Sequence, residues 1–294
     1  EDPDETLKRK TLELLCRMTK PANVEVIVDK MILFLRVTHD PLVKQDTVSK
    51  VIELAERYAP SNVWFVRTVN EVLVLAGDLV SDPVAHNLMR LVAEGAGGDD
   101  EEADTELRAS AVASYLELLE RPKLPAVLLR IICWVLGEYG LLSPTHDAPR
   151  LVTALVEIAE RQVAHPEQIK ALALTAISKV CAHARLGYDA LPQDAKDLVN
   201  HCAASRSVDL QQRAHELTEL LKLSPPALEA ALPPDSSCEE VEVEADLPWL
   251  DQFVAEAIAD GAACYVPPEE RRRNSVDAAG PLEGGGGGAR GSAT

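Results

Sequence analysis

Several groups of residues in this chain are of types that can do chemistry. Cys181-x-His183 and His201-Cys202 are pairs of the kind zinc takes, on two stretches that both read as helical. On a helix, residues two apart point about 200° apart and adjacent ones about 100° apart, so neither pair aims both ligands at one ion. They read as core thiols and surface histidines, and no metal is expected. The run Asp99-Asp100-Glu101-Glu102 carries charge enough to attract a cation. It lacks the alternating ligands and central glycine of a calcium loop, and reads as a solvated loop ahead of a helix N-terminus. Cys133 lies in IICWVLGEYG, read as a buried helix that ends at Gly137 or Gly140, the alternative being that the paired glycines let a neighbouring helix approach closely. Arg271-Arg272-Arg273-Asn274-Ser275 has the form of a basophilic kinase site or a basic anchor, and its arginines are read as solvated. There is no G-x-S-x-G, no phosphate loop and no G-x-G-x-x-G after a strand. The expectation is a non-enzyme without a cofactor.

Composition narrows the classes further. The 294 residues include 48 acidic and 29 basic ones, a net charge of −19. Phosphate binding would require a basic face built against that field, so nucleic acid is not an expected partner. No stretch of about 18 uncharged apolar residues exists to span a membrane. The opening EDPDETLKRK is charged and lacks an initiator Met, which reads as a fragment or processed piece without a secretory signal. Six cysteines, at 16, 133, 181, 202, 238 and 264, lie far apart with no C-x-x-C, which fits a reducing compartment.

The elements that must position these residues are helices. Leu, Ala and Val dominate, aromatic residues make only 4%, and glycine is scarce before the C-terminal end, a mix that favours helix over sheet. Prolines at 21, 41, 60, 83, 122, 144, 166 and 192 punctuate the chain about every twenty residues, and the one long interval is split by a loop at 95–104. Between these marks apolar residues recur at helical spacing, as in Phe65, Val69, Val72, Leu73 and Ala76. Proline is tolerated in a helix's first turn, so each proline is expected to open a helix. The count is about eleven helices between 4 and 223, in antiparallel pairs recurring about every 40 residues. The expected fold is all-α: a HEAT/armadillo-like α-α superhelical solenoid over residues 1–223, whose pairs bury their apolar faces only by stacking.

From residue 224 to 294 the composition changes to 8 Pro, 8 Gly and a net charge of −10. Such a segment buries too little apolar surface to offset ordering entropy, so a largely disordered acidic linker is expected, with a short helix at 247–260. Leu247, Trp249, Leu250 and Asp251 nearly match the short acidic–hydrophobic peptide box that docks on the clathrin terminal domain. Pro248 stands where that box has an aliphatic residue, and the competing reading is a helix start.

Several long stretches carry a resemblance: APSNVWFVRTVNEVLVLAGDLV (59–80), VAHNLMRLVAEG (84–95), LRASAVASYLELLE (107–120), KLPAVLLRIICWVLGEYG (123–140) and VDLQQRAHELTELL (208–221). In that order they resemble the large-chain adaptins of the heterotetrameric adaptor-protein complexes. The SNVWFVRTVNEV and ICWVLGEYG runs and the later CEEVEVEADLPWL…GAACYVPPEER favour the epsilon chain of the fourth adaptor complex. The resemblance implies a non-enzymatic coat scaffold with a solenoid trunk and hinge. Its implied partners are a beta-type large adaptin, a mu medium chain, a sigma small chain, an Arf-class small GTPase and, through the complex, cargo tails. The implied place is the cytosolic face of the trans-Golgi network and its vesicles, in peripheral membrane contact and, for epsilon, without clathrin. The part present resembles the C-terminal half of a trunk plus the start of the hinge. A HEAT scaffold of another class, a phosphatase regulatory subunit or a nuclear transport receptor, is the alternative.

Overall fold

The structure is a computed structural model that describes residues 5–95, 101–163, 165–233 and 248–266. The chain falls into two units, Glu1–Glu239 and Glu240–Thr294. In the first, the described helices are α1 (Glu5–Met18), α2 (Val24–Val37), α3 (Pro41–Tyr58), α4 (Asn62–Ala76), α5 (Asp82–Glu94), α6 (Glu101–Leu119), α7 (Ala126–Tyr139), α8 (Ala148–Glu160), α9 (Pro166–Ala184), α10 (Gln193–Ala203), α11 (Val208–Leu220) and α12 (Pro225–Ala231). No strand occurs among the described residues.

Local chemistry starts these helices where the sequence has prolines and short polar side chains. Asp40 precedes Pro41, and its carboxylate accepts from the N–H groups of Leu42 and Val43 at 2.8 and 3.4 Å. Ser61 caps α4 through Trp64 N at 3.2 Å, and Asp147 caps α8 through Arg150 N at 3.1 Å. Pro83 and Pro166 lie in the first turns of α5 and α9. Four expected helix-opening prolines do not open helices. Pro21 and Pro60 lie in the turns that precede the caps Asn23 and Ser61. Pro122 and Pro144 sit in turns, while Pro125 caps α7 and Pro149 occupies the first turn of α8.

The helices stack in two layers. Odd-numbered helices pack on odd (α1 on α3, α5 on α7, α7 on α9, α9 on α11) and even on even (α2 on α4, α4 on α6, α8 on α10). This alternation defines an all-α solenoid of the HEAT/armadillo kind, because each pair completes its core only against its neighbours. One core cluster runs through α1–α4 and a larger one from α3 to α12. At the middle, α7 is buried nearly all round, including Leu128, Ile132, Cys133 and Leu136. Such a helix has no solvent stripe and serves as the axis on which α5, α6 and α9 pack.

Gly140 is the C-cap at which α7 ends, as expected, whereas Gly137 lies inside the helix. A Cβ on Gly137 would stand 2.9 Å from Ala176 Cα, so its missing side chain lets α7 and α9 approach backbone to backbone. Gly140 has φ −54 and carries the chain into a 3-10 turn, Gly140–Leu142. Arginines then tie successive pairs together at helix ends. Arg108 of α6 donates to the carbonyls of Val92 and Ala93 at 3.3 and 2.5 Å, at the C-terminal end of α5, and stacks 4.9 Å from the Tyr139 ring centroid. Arg161 donates to Leu119 O and, at 2.9 Å, to Arg121 O at the end of α6.

The helical packing runs past residue 223. In α12 Leu228 is buried, and His183 on α9 lies 3.3 Å from Leu232 O. A Ser-Pro-Pro start and seven residues are enough for α12 because α9 supplies the apolar surface that its own length cannot. In the second unit, the turn Pro248–Leu250 leads into α13 (Asp251–Ala259). Residues 234–247 and 267–294, expected as linker, lie outside the described residues together with the arginine triplet.

Candidate partner-binding surface

The side chains first singled out for chemistry are separated by the fold. Cys181 is buried on α9, and burial pushes its thiol up to about 12, which holds it neutral and a poor metal ligand. Cys202 on α10 is likewise buried with a raised thiol, while its neighbour His201 is exposed. Cys133 on α7 is pushed up to about 12 by burial alone. Among the described residues no group of three His, Cys, Asp or Glu side chains is placed to hold an ion. Glu101 and Glu102 lie in the first turn of α6, where carboxylates face its positive end; Asp99 and Asp100 lie outside the described residues. Leu247 of the clathrin-type box is also outside them. Leu250 closes a 3-10 turn and Asp251 opens α13, so this part of the segment is helical and not an extended peptide.

What the solenoid offers instead is surface. Most outward positions of the even layer are charged or polar: Arg67 on α4, Glu117 on α6, Glu157 on α8, Asp197 on α10. The outward stripe of α2 differs, with Val26, Leu33 and Val37 at 63%, 59% and 69% exposure. On α1, Leu7, Leu14 and Met18 repeat the same spacing of seven and then four and are also exposed. Both stripes lie opposite the buried face, since residues seven and eleven apart share one side of a helix. Charge follows the same geography. Residues 5–50 hold 9 Lys or Arg and 6 Asp or Glu, against the strong negative balance of the whole chain. An apolar, mildly basic surface of this kind is a candidate for association.

Between α4 and α6 a groove of about 750 Å³ is lined by Arg67, Asn70, Val74, Ser114 and Leu118. Beneath its lining residue Asn70 lies a polar contact invisible in the sequence. The buried Tyr115 hydroxyl donates to Asn70 Oδ1 at 3.1 Å, and burial pushes that phenol up. Asn70 Nδ2 is buried with no partner. No spacing in the sequence pairs the two, which are 45 positions apart, so only the α4–α6 contact reveals them.

The fold and its surfaces define a stack of paired helices. Residues 1–225 match the family model described as the adaptin N terminal region, and the chain belongs to that family. It is 47% identical over 274 residues to the AP-4 complex subunit epsilon of Arabidopsis thaliana, covering 92% of this chain and 29% of that protein. It is 37% identical over 278 residues to the human AP-4 complex subunit epsilon-1, covering 93% and 24% respectively. Similarity to the AP-1 complex subunit gamma of Dictyostelium discoideum is lower, 24% over 233 residues, covering 74% of this chain and 25% of that protein. The chain thus spans less than a third of the length of these relatives.

Proposed function

We propose that this chain is part of a large subunit of a heterotetrameric adaptor complex, a non-enzymatic scaffold of a vesicle coat. In this reading it assembles with a beta-type large adaptin, a mu chain and a sigma chain, is recruited from the cytosol by an Arf-class GTPase, and sorts transmembrane cargo at the trans-Golgi network. The observation that carries it is the reach of the epsilon-type similarity. The family model stops at residue 225, whereas the matches to the plant and human epsilon subunits cover 92% and 93% of the chain and therefore extend into the tail. The gamma subunit match covers only 74%. No helix among the described residues is long and apolar enough to cross a membrane, which suits a peripheral coat component.

Within this reading the trunk runs through α12 and the tail is the beginning of a hinge that carries α13. Leu250 and Asp251 then lead into that helix and do not act as part of a clathrin box. The apolar stripes of α1 and α2 are surfaces for further trunk helices or sister subunits. Native co-purification of the full-length protein tests the proposal. Beta, mu and sigma chains recovered in equal amounts are the expected result. Recovery of a phosphatase catalytic subunit or of Ran in their place overturns it in favour of another HEAT scaffold.

A further inference from the structure

The second unit contains a small, well-bounded helix whose apolar side is unused. Leu250, Phe253, Val254, Ala257 and Ile258 stand at i, i+3, i+4, i+7 and i+8 and so share one face of α13. Phe253, Val254 and Ile258 are 67%, 47% and 43% exposed, and no residue of α13 is buried. The opposite face is polar, with Gln252 donating to Glu256 at 2.9 Å. Both ends are locally specified. Pro248 opens the leading turn, and Gly261 at φ +99 closes the helix, with Ala262 N bonded to Ala257 O at 2.9 Å. A nine-residue helix is marginal alone, so such exact bounding around an exposed apolar face has its use when the face is covered.

Charge says what covers it. From residue 223 to 270 the chain has 12 Asp or Glu and no Lys, Arg or His. An amphipathic helix in that setting is repelled by the anionic surface of a membrane, which recruits Lys- and Arg-flanked helices. It is attracted to an apolar groove whose rim is basic. We propose that α13 is a docking helix that inserts Phe253, Val254 and Ile258 into a basic-rimmed apolar groove on a partner protein, in the helix-in-groove mode. This goes beyond the adaptor reading and stands whether or not the chain assembles with beta, mu and sigma subunits.

The test uses the full chain with photoreactive benzoylphenylalanine in place of Phe253, cross-linked in cells, with the attached peptides identified by mass spectrometry. The expected result is one protein, cross-linked within an apolar groove bordered by Lys or Arg. Purified, that protein should bind the full chain, and Ile258→Glu should weaken binding about tenfold or more, as loss of a central anchor does. The polar-face change Gln252→Ala should leave binding unaltered. Raising salt from about 0.1 M to about 1 M, which shortens the screening length from about 10 Å to about 3 Å, should slow association. Because α13 buries no residue, these variants should melt with the parent. Cross-links confined to this chain's own solenoid or to a second copy overturn the proposal. So does scatter over unrelated proteins, or flotation of the chain with phosphatidylcholine–phosphatidylserine vesicles that Ile258→Glu abolishes.

Discussion

Glu138 on α7 and Lys179 on α9 form an ion pair in which the carboxylate is fully buried and its second oxygen, Oε2, has no partner. The pair lies beside the Gly137–Ala176 contact, so it joins the same two helices where their backbones are closest. A buried ion taken out of water depends on its partner. Replacing Lys179 by Met should therefore destabilise the chain by about 3–5 kcal/mol, the range for orphaning a buried charge. The double change Glu138→Leu with Lys179→Met should lose much less. Urea unfolding of the two variants checks this, and equal midpoints for Lys179→Met and the parent would sink the idea.

Gly137 within α7 and Gly140 at its C-cap should respond differently to the same substitution. Gly137→Ala places a methyl 2.9 Å from the Ala176 backbone, which only separation of α7 from α9 relieves. Overpacking of this kind costs about 1–3 kcal/mol. At Gly140 the nearest atom is the tip of Leu151 at 3.3 Å, and φ is already helical at −54, so Ala should be neutral. Thermal melts of the two variants check the contrast; a lower melting temperature at position 140 than at 137 would contradict the packing account.

Helix existence was legible in the sequence because apolar spacing and first-turn prolines are local signals. The choice between neighbouring prolines was not. Pro122 and Pro144 carry the same signal as Pro125 and Pro149, and only the latter two fall at a helix start, as cap and in the first turn respectively. Gly137 reads as a stop signal because glycine usually is one, yet the residue that requires it, Ala176, is 39 positions away in sequence. Asn70 and Tyr115, Arg108 and Tyr139, and α12 on α9 are likewise products of stacking. The exposure of Val26, Leu33 and Val37 was not legible either, since α2 is apolar on both sides.

The first helix separates core from surface residues sharply enough to test. Leu12 is buried at 8% exposure, whereas Leu14 and Met18 are exposed at 57% and 56%. Leu14→Gln with Met18→Gln should change stability by no more than about 0.5 kcal/mol, as for surface sites, and raise solubility. Leu12→Ala should cost about 2 kcal/mol or more. Denaturant titration with a solubility assay checks both, and a loss of several kcal/mol from the double Gln variant would mean that α1 folds its outer stripe onto its own core.

Cysteine reactivity and alkaline stability give the last test, and the sign follows from burial. Cys133 and Cys181 have thiols raised from 9.0 to about 12, because the buried thiolate is desolvated. At pH 8 both should resist a thiol-directed disulfide reagent until the chain unfolds, since the thiolate is the reactive form. Cys16, half-buried with a raised thiol, should react slowly, and the exposed Cys264 at once. A raised value in the fold means that the unfolded chain loses these protons first. Their contribution to stability is then complete below about pH 9 and is lost as pH climbs towards 12. The Cys133→Ala, Cys181→Ala double variant should show a shallower loss of stability over that window. Rapid modification of Cys133 in the folded chain, or an unchanged alkaline slope in the double variant, would refute the burial of these thiols as the cause.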